Sequence, residues 1–469
     1  MESASKCGGP WCDNPHSPPI RMQAMNEGAE AVQTPSRHRV VVVGGGAGGL
    51  ELATQLGNRY GRHGRAEITL IDASMTHLWK PLLHEVAAGT LDSHDDELEY
   101  MAQARWHHFD FRLGRMDGLD RDAREVHLAP TLDHTGEVII PARTVPYDTL
   151  VIAVGCVTND LGVPGVREHC TFLDTREQAD LFQRRFLEQF LRAQTREGPL
   201  GEGELSVAIV GGGATGVELA AELRHVSQQL VAYGCDHIDP ERDARLIVIE
   251  AADRLLSALP PRLSASATAE LHRLGVSVHT GTPVDRVTAD GVHTRDGTFI
   301  PARMKVWAAG VKAADWMREL AGLETNRNNQ LVVHRTLQTT RDDDIFALGD
   351  CAACPLDDDG RIVPPTAQAA HQQASLLLKS IGARLKGRAL REFRYRDYGS
   401  LVSLSRYTTV GSLMGRVLGS VTIEGWIARR VYRAIHREHQ RAVFGTLRTL
   451  LIILADLLTR SMRPRTKLH

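Results

Sequence analysis

Two glycine-rich segments of the chain have the residue types and the spacing that hold a pyrophosphate. Each carries glycine at its first, third and sixth positions: Gly44, Gly46 and Gly49, then Gly211, Gly213 and Gly216. A Cβ atom would block the tight turn and keep a pyrophosphate from the helix N-terminus, where free N–H groups and the helix dipole hold its charge. Loops that bind nothing are the alternative, but two copies in register favour two dinucleotide sites.

A carboxylate follows each glycine segment at the end of the next predicted strand. Asp72 ends the strand at 67–71, and Glu250 ends the strand at 246–249. A carboxylate at this place binds ribose hydroxyls and repels a 2′-phosphate, so Glu250 favours NADH over NADPH. An insertion at about 225–243 lengthens the spacing in the second unit.

The elements that must position these residues are two βαβ units of the Rossmann type. Each glycine segment follows a buried-strand pattern, at 39–43 and at 206–210, and leads into a helical stretch. The fold class expected is α/β with two Rossmann-like domains. Two dinucleotides that meet face to face exchange a hydride without a metal, so FAD with a nicotinamide is the expected pair and no metal is expected. The strand at 344–350 ends in Asp350, whose carboxylate suits the ribitol of FAD; a helix N-cap is the alternative.

Further segments resemble those of type II NADH:quinone oxidoreductases, which are flavoproteins with two dinucleotide-binding domains. The resemblance runs from about residue 39 to the C-terminus, and its segments are 77–89 (HLWKPLLHEVAAG), 148–155 (DTLVIAVG), 306–311 (VWAAGV), 349–350 (GD) and 367–372 (AQAAHQ). It implies a glutathione-reductase-like fold, FAD as cofactor, NADH as substrate and two-electron reduction of a membrane quinone without proton pumping.

The resemblance also assigns roles to single residues. FAD is expected to contact Gly44, Gly46, Gly49, Asp72, Lys80, Gly155, Asp350, Ala367 and Gln368. NADH is expected to contact Gly211, Gly213, Gly216, Glu218, Glu250 and Gly310. The catalytic residues expected are Glu218, Gln368 and Gln372.

Residues 367–372 match the AQxAxQ pattern that lines the quinone pocket in this family. Gln368 and Gln372 share one face of a helix that we expect Pro364 and Pro365 to begin. Small alanines between them would let a flat ring approach, and the amides offer donors to quinone oxygens. Core alanines with exposed glutamines are the alternative.

Glu218 is expected in the first turn of its helix, because it follows Gly216 by two residues. The matching glutamate of the family is implicated in quinone reduction or proton supply. The helix dipole stabilises any first-turn acid, and Glu51 holds the equivalent place in the first unit. Tyr398 stands where the family usually has a lysine beside the quinone, so a phenol without positive charge replaces a cation there. Trp79 and Lys80 stand where the family commonly has phenylalanine and a polar residue, which is a milder departure from the family pattern.

The seven cysteines do not repeat as metal ligands or as a disulfide scaffold, so we expect a reducing compartment. Cys351 and Cys354 form a weak CxxC signal for redox chemistry. Cys156 is interpreted as a buried small residue rather than a nucleophile.

The whole chain carries a net charge of only −2, so it has no overall positive charge that would attract nucleic acid. The C-terminal region, in contrast, is basic. Ten basic residues lie between Arg429 and His469, against Glu438 and Asp456, and apolar runs such as 450–454 separate them. This pattern predicts an amphipathic helix on anionic lipid at the cytoplasmic face of the membrane, too short to span it. A dimerisation or core helix is the alternative, and a homodimer is expected.

We therefore expect a flexible tail (1–36), an FAD domain in two segments (37–168 and 312–390), an inserted NADH domain (169–311) and a C-terminal membrane-binding or dimerisation region (391–469). Two other functions remain open at this stage. One is an NADH-dependent reductase of a soluble electron carrier, and the other is a slow NADH-sensing flavoprotein.

Overall fold

The structure is a computed structural model that describes residues 37–92, 97–404, 408–415, 419–424, 445, 449–451 and 453–454. Its named helices are α1 (Ala47–Leu56), α2 (Leu83–Ala88), α3 (Tyr100–His107), α4 (Val166–His169), α5 (Arg176–Gln194), α6 (Ala214–Ala232), α7 (Pro261–Arg273) and α8 (Ala367–Arg384). A π-helical turn spans Gly57–Gly61, and short 3-10 helices span Lys80–Leu82, Asp315–Glu319 and Gly349–Cys351.

The strands, in chain order, are β1 (His38–Val43), β2 (Ala66–Asp72), β3 (Thr76–His77), β4 (Leu98–Glu99), β5 (Asp110–Leu113), β6 (Met116–Asp120), β7 (Glu125–Leu128), β8 (Thr131–Leu132), β9 (Val138–Ile140), β10 (Arg143–Pro146), β11 (Thr149–Ile152), β12 (Val157–Thr158), β13 (Val207–Val210), β14 (Leu246–Ile249), β15 (Val276–His279), β16 (Val284–Val287), β17 (Gly291–Thr294), β18 (Phe299–Pro301), β19 (Met304–Trp307), β20 (Val311–Lys312), β21 (Leu331–Val332), β22 (Gln338–Thr339), β23 (Asp342–Ala347), β24 (Ala352–Ala353), β25 (Gly399–Leu404), β26 (Thr408–Gly415) and β27 (Gly419–Glu424).

The first glycine segment belongs to a six-stranded sheet with strand order β22-β23-β11-β1-β2-β5. Strands β23, β11, β1, β2 and β5 pair in parallel, and β22 adds an antiparallel edge. Strand β23 comes from far beyond the second glycine segment, yet it pairs with β11 of the first unit. The turn after β23, which holds Asp350, therefore lies at the same sheet end as the first glycine segment.

The second glycine segment belongs to a four-stranded parallel sheet with order β15-β14-β13-β19. Alternate residues of β13 and β14 pack into separate apolar clusters on the two faces of this sheet, as expected of a parallel sheet covered on both sides. The helix before β14 continues to Ala232, so the insertion placed at 225–243 is partly wrong. Its first part extends α6, and only residues 233–245 form a connecting loop.

Two elements from outside the second unit pack on it. Helix α2 contacts α5 and α6, and Val402 and Leu404 of β25 join the same buried cluster. Strand β25 begins a three-stranded antiparallel sheet with β26 and β27. This packing brings side chains of α2, α6 and β25 together.

The predicted tail at 1–36 and most of the predicted basic helix at 429–469 lie outside the described residues. Thr449–Leu451 and Ile453–Leu454 are helical, and Leu450, Leu451 and Leu454 are each more than half exposed. Among the residues described, none of the helices is both long and apolar enough to cross a bilayer.

Candidate dinucleotide and quinone sites

The two glycine segments have the same backbone geometry. Gly44 and Gly211 adopt φ of 102° and 116°, and a Cβ at either would collide with the backbone of the neighbouring strand end, at Ala153 and Ala308. A Cβ at Gly49 or Gly216 would overlap the carbonyl of the first glycine of its own segment. These positions require glycine for steric reasons, as the sequence pattern predicts.

The third glycine of each segment faces open space. Gly46 and Gly213 are the N-caps of α1 and α6, and nothing lies within 4 Å of a Cβ built on either. Neither helix has a side-chain cap bond or an acid in its first turn. The free N–H groups and the space before them therefore fit a dinucleotide pyrophosphate at both sites.

The two strand-end acids bind the glycine segments in the same way. Asp72 accepts hydrogen bonds from the amide of Gly45, at 2.6 Å, and from Ser74, at 2.8 Å. Glu250 accepts from the amide of Gly212, at 2.6 Å, and from Ala252, at 2.8 Å. Burial raises the pKa of Asp72, and the backbone donors oppose that shift. Both carboxylates thus lie beside the glycine segments, where ribose hydroxyls are expected.

Asp350 lies inside a short 3-10 helix whose N-cap is Leu348, so the alternative that Asp350 caps a helix is wrong. Its carboxylate accepts a hydrogen bond from the thiol of Cys156, at 3.1 Å. The buried Gln373 accepts from the amide of Gly349, at 2.6 Å, and Gln330 donates to the carbonyl of Asp350, at 2.9 Å. Asp350 is therefore fixed by side chains from three separate segments.

Lys80 and Gly155 meet beside this turn. Lys80 Nζ donates to the carbonyl of Cys156, at 2.7 Å, and lies 3.7 Å from the carboxylate of Asp174. Gly155 adopts φ of 72°, and a Cβ built on it would meet nothing within 4 Å. Gly310, with φ of 74°, follows β19 at the end of the second sheet.

Gln368 and Gln372 lie on one face of α8, as predicted, but their amide groups bind protein backbone. Gln368 accepts from the amide of Tyr398, at 2.8 Å, and donates to the carbonyl of Gly399, at 3.2 Å. Gln372 accepts from the amide of Arg396, at 3.0 Å, and donates to its carbonyl, at 2.8 Å. The two side chains clamp the segment before β25, and we call this contact the glutamine clamp.

Two details of the helix predictions are wrong. Helix α8 begins at Ala367 with Thr366 as its N-cap, whose hydroxyl accepts from the amide of Ala369, so the prolines precede the helix. Ala369 and Ala370 are buried, and Ala370 packs against Gly48 and Gly349. The small alanines therefore allow α8 to approach α1 rather than leaving room for a ring.

Next to the glutamine clamp, α8 is tied to the first unit by a buried carboxylate. Glu51 is fully buried on α1, and its carboxylate lies 2.6 Å from Nδ1 of the half-exposed His371. Gln55 donates to the other oxygen, at 2.8 Å. Both partners compensate the burial of the carboxylate.

Glu51 and Glu218 are each the fifth residue of their helices, so the placement of Glu218 in the first turn is wrong. The helices begin directly after the N-cap glycines Gly46 and Gly213, whereas they were expected to follow the whole glycine segments, three residues later. The helix dipole acts mainly within the first turn, so it does not account for these acids.

Glu218 lies in a buried group of titratable side chains. Its Oε1 accepts from the amide of Ser403, at 2.9 Å, and its Oε2 lies 3.7 Å from Nδ1 of the buried His84. The pKa of Glu218 is raised to about 8, mainly by burial; the hydrogen bond from the Ser403 amide opposes this shift, and the nearby Glu85 and Glu222 add to it. Burial lowers the pKa of His84 to about 4. At neutral pH both side chains are therefore uncharged.

A family model of pyridine nucleotide-disulphide oxidoreductases matches residues 38–374. A type II NADH:quinone oxidoreductase of Haemophilus influenzae is 45% identical over 443 residues, which cover 92% of this chain and 99% of that protein. The enzyme of the same description from Mycobacterium tuberculosis is 30% identical over 431 residues, covering 89% of this chain and 88% of that protein. The chain belongs to the type II NADH:quinone oxidoreductases. This family carries out FAD-dependent oxidation of NADH with reduction of a quinone.

Solved structures agree with this fold. An NADH complex of NDH2 from Plasmodium falciparum superposes with a TM-score of 0.76 at 18% identity, covering 92% of this chain and all of that one. The sulfide:quinone oxidoreductase of Aquifex aeolicus superposes with a TM-score of 0.67, also at 18% identity, covering 87% and 92%. The fold is thus shared between enzymes with different reductants, and the sequence relatives identify the type II family.

Within this type II enzyme, the cysteines are free wherever the structure describes them. Cys351 and Cys354 are both buried, and burial raises the pKa of each thiol to about 12. Neither thiol is a ready nucleophile at neutral pH. Cys156 was expected to be a buried small residue, but it is half-buried and its thiol donates a hydrogen bond to Asp350.

The contacts of His84 and Gln373 were not predicted from the sequence, nor was the bond of Cys156 to Asp350. His84 stands inside the segment 77–89 that carried the resemblance, but nothing in its own spacing indicates the contact with Glu218. Gln373 follows Gln372 directly, and one residue along a helix turns its side chain about 100° toward the core. Thr366 did carry a signal, because threonine before a helical run is a preferred N-cap.

Proposed function

We propose that this chain binds FAD at the first glycine segment and NADH at the second, and that it reduces a quinone beside the glutamine clamp. The FAD contacts proposed are Asp72, Lys80, Gly155 and Asp350, with Ala367 and Gln368 on the quinone side. Bound FAD supplies a two-electron carrier between NADH and quinone.

The residues of the chain contribute mainly by positioning. Glu250 orients the adenine ribose of NADH, and Gly310 leaves room for the nicotinamide end. The glutamine clamp holds the segment before β25, so Gln368 and Gln372 shape the quinone pocket through this backbone. Glu218 supplies a proton to the reduced quinone, because its pKa of about 8 keeps it protonated at neutral pH.

One observation supports a common site for these roles. Glu218 on α6 and Gln368 on α8 bind the two ends of the same strand, at Ser403 and Gly399 of β25. Strand β25 therefore connects the helix that follows the NADH segment with the helix that abuts the FAD segment. A quinone bound along this strand would be near both groups.

We also propose the domain division given above, a peripheral attachment to the cytoplasmic face of the membrane, and a homodimer. The exposed Leu450, Leu451 and Leu454 support an apolar face available to lipid or to a second copy. A quinone dissolves in lipid, so an enzyme held at the membrane surface meets its substrate there.

A coupled assay tests the function directly. The FAD-loaded protein is expected to oxidise NADH with a short-chain quinone, and Gln368→Ala is expected to raise KM for that quinone. Added ferredoxin-type carriers should leave the rate unchanged. Turnover that requires such a carrier would support the reductase of a soluble protein instead, and turnover that stays slow with every acceptor would support the sensor.

A further inference from the structure

His84 separates two carboxylates, one buried and one reaching solvent. Its Nδ1 lies 3.7 Å from Glu218 Oε2, and its Nε2 lies 4.0 Å from Glu85 Oε1. The side chains of His84 and Glu218 are 2% and 8% exposed, whereas that of Glu85 is 25% exposed. An imidazole with a carboxylate at each nitrogen has the arrangement of a proton shuttle.

The hydrogen bonds of the ring define its resting state. His84 bonds to the backbone of Pro81, which offers only a carbonyl acceptor. Among the described residues, Nε2 has no hydrogen-bond partner. The neutral ring therefore carries its proton on Nδ1, which donates to the Pro81 carbonyl and lies 3.7 Å from Glu218 Oε2, and it has a lone pair on Nε2, on the side of Glu85.

We propose that Glu85, His84 and Glu218 form a proton relay from solvent to the quinone. This inference rests on the proposed function, which places Glu218 beside the quinone. Both gaps exceed a hydrogen bond by less than 1 Å, and catalytic contacts often tighten only when substrate is bound.

The relay supplies the proton from water that quinol formation requires. Reduction of a quinone to a quinol takes two electrons and two protons, and NADH provides both electrons with one proton, so each turnover takes one more proton from water. Glu218 gives its Oε2 proton to a quinone oxygen and takes a proton from Nδ1 of His84. Nε2 of His84 takes a proton from Glu85, and Glu85 then takes a proton from water. This transfer leaves the proton of the neutral ring on Nε2, and loss of that proton to water with uptake of another at Nδ1 restores the resting tautomer.

The surroundings of Glu218 favour the protonated resting form. The groups that face it are His84 and Glu85 from α2, Glu222 from its own helix and the Ser403 amide from β25. The two neighbouring carboxylates disfavour a charge on Glu218, and the low pKa of His84 prevents the ring from retaining the proton. The proton is thus held at the inner end of the relay.

Hydrogen exchange of the Glu218 carboxyl tests the relay without turnover. The infrared band of a protonated carboxyl, assigned by its loss in Glu218→Gln, is followed after oxidised, FAD-loaded protein is transferred to D₂O. In His84→Phe the exchange of this band is expected to slow at least about tenfold, since the ring no longer carries protons. His225→Phe is the matched control, because His225 is also a buried histidine but lies on α6, about 10 Å further along that helix than Glu218.

Rapid mixing gives the kinetic counterpart. His84→Phe, reduced anaerobically with NADH, should be reduced at the wild-type rate but reoxidised by a short-chain quinone at least about tenfold more slowly. His84→Ala should be equally slow and should regain rate with added imidazole. If His84→Phe folds poorly, His84→Gln replaces it, because its amide keeps hydrogen bonding but does not relay protons.

The outcomes separate the relay from the proposed function. Wild-type exchange and reoxidation rates in His84→Phe would overturn the relay, and so would a slow His84→Ala that imidazole leaves slow, which would indicate a structural role. A wild-type protein whose flavin is not reoxidised by quinone would overturn the proposed function instead.

Discussion

Glu218 is the residue whose environment departs furthest from what its sequence position indicates. A glutamate two residues after a glycine segment is expected in the first turn of a helix, but Glu218 is the fifth residue of α6, is buried and faces an imidazole and two carboxylates. Its chemistry follows from the packing of α2 and β25 on α6, which local sequence does not encode.

We expect the raised pKa of Glu218 to set the pH dependence of quinone reduction. Glu218 has a pKa of about 8, so it is protonated at lower pH and loses the transferable proton at higher pH. The rate of flavin reoxidation by quinone should therefore fall as the pH rises through about 8. Glu218→Gln should abolish this limb and lower the rate about a hundredfold at pH 7, because the amide is not an acid. Glu222→Gln is the control: it should keep the limb at slightly lower pH, since one negative neighbour is removed. A limb near pH 8 that persists in Glu218→Gln would contradict the assignment.

We expect Glu250 to determine the choice between NADH and NADPH. Its carboxylate is held on the amides of Gly212 and Ala252, where a 2′-phosphate would approach. Glu250→Gln should raise the ratio of kcat/KM for NADPH over NADH at least about tenfold, because like-charge repulsion near a protein surface amounts to a few kcal/mol.

Asp72→Asn is the matched control for Glu250, since Asp72 makes the same contact with the first glycine segment. It should lower the FAD content and leave the coenzyme ratio unchanged. A coenzyme ratio that moves in Asp72→Asn and not in Glu250→Gln would mean that the two sites have been assigned in reverse.

Helix α8 contributes neighbouring residues to two of the proposed sites. Gln372 holds the backbone of Arg396, and the next residue, Gln373, holds the amide of Gly349 beside Asp350. Gln372→Leu should therefore raise KM for quinone, with normal FAD affinity. Gln373→Leu should weaken FAD binding about tenfold, because the half-buried amide N–H of Gly349 loses its acceptor, and such a loss costs about 1–3 kcal/mol. FAD titration and quinone kinetics are measured on both variants. Equal effects of the two substitutions, or a loss of FAD affinity in Gln372→Leu with a raised quinone KM in Gln373→Leu, would contradict the separate roles of these residues.

The elements show what local sequence predicts well. The valine-rich strands, the glycine segments and their strand-end acids lie where the spacing puts them, because these features depend on backbone sterics and on burial on both faces of a sheet. The strand before Asp350 joins the first sheet, as the proposed contact of Asp350 with the ribitol of FAD requires.

Other elements depend on contacts between distant segments and were not predictable locally. The glutamine clamp needs residues 396–399 to pass α8, and the His84–Glu218 contact needs α2 to leave its own unit and pack on α6. The first turns of α1 and α6 were misplaced because glycine was taken to continue the loop, whereas Gly48, Gly49 and Gly216 lie inside the helices.

At the scale of the whole molecule, attachment to a membrane is a separate property from catalysis. The triple variant Leu450→Ser, Leu451→Ser and Leu454→Ser should lose most of its sedimentation with anionic vesicles and keep turnover with a soluble quinone, because burial of apolar side chains in the interface drives binding. Truncation at about Arg429 should act likewise.

The matched control replaces another exposed apolar group, Leu132, Val138 and Ile139 of the β8–β9 hairpin, by serine. This variant should sediment as the wild type does. Equal loss in both triple variants would indicate a general effect of surface hydrophobicity, and a truncated chain that still pellets with lipid would refute the C-terminal anchor.

We propose that reducing equivalents pass from NADH through bound FAD to a quinone, and an anaerobic titration follows this transfer. Purified protein is reconstituted with FAD, titrated with NADH in a sealed cuvette and then given a short-chain quinone. The flavin absorbance should bleach fully at about one NADH per FAD and return with about one quinone. A flavin that stays oxidised in excess NADH, or that stays bleached after quinone is added, would contradict the account.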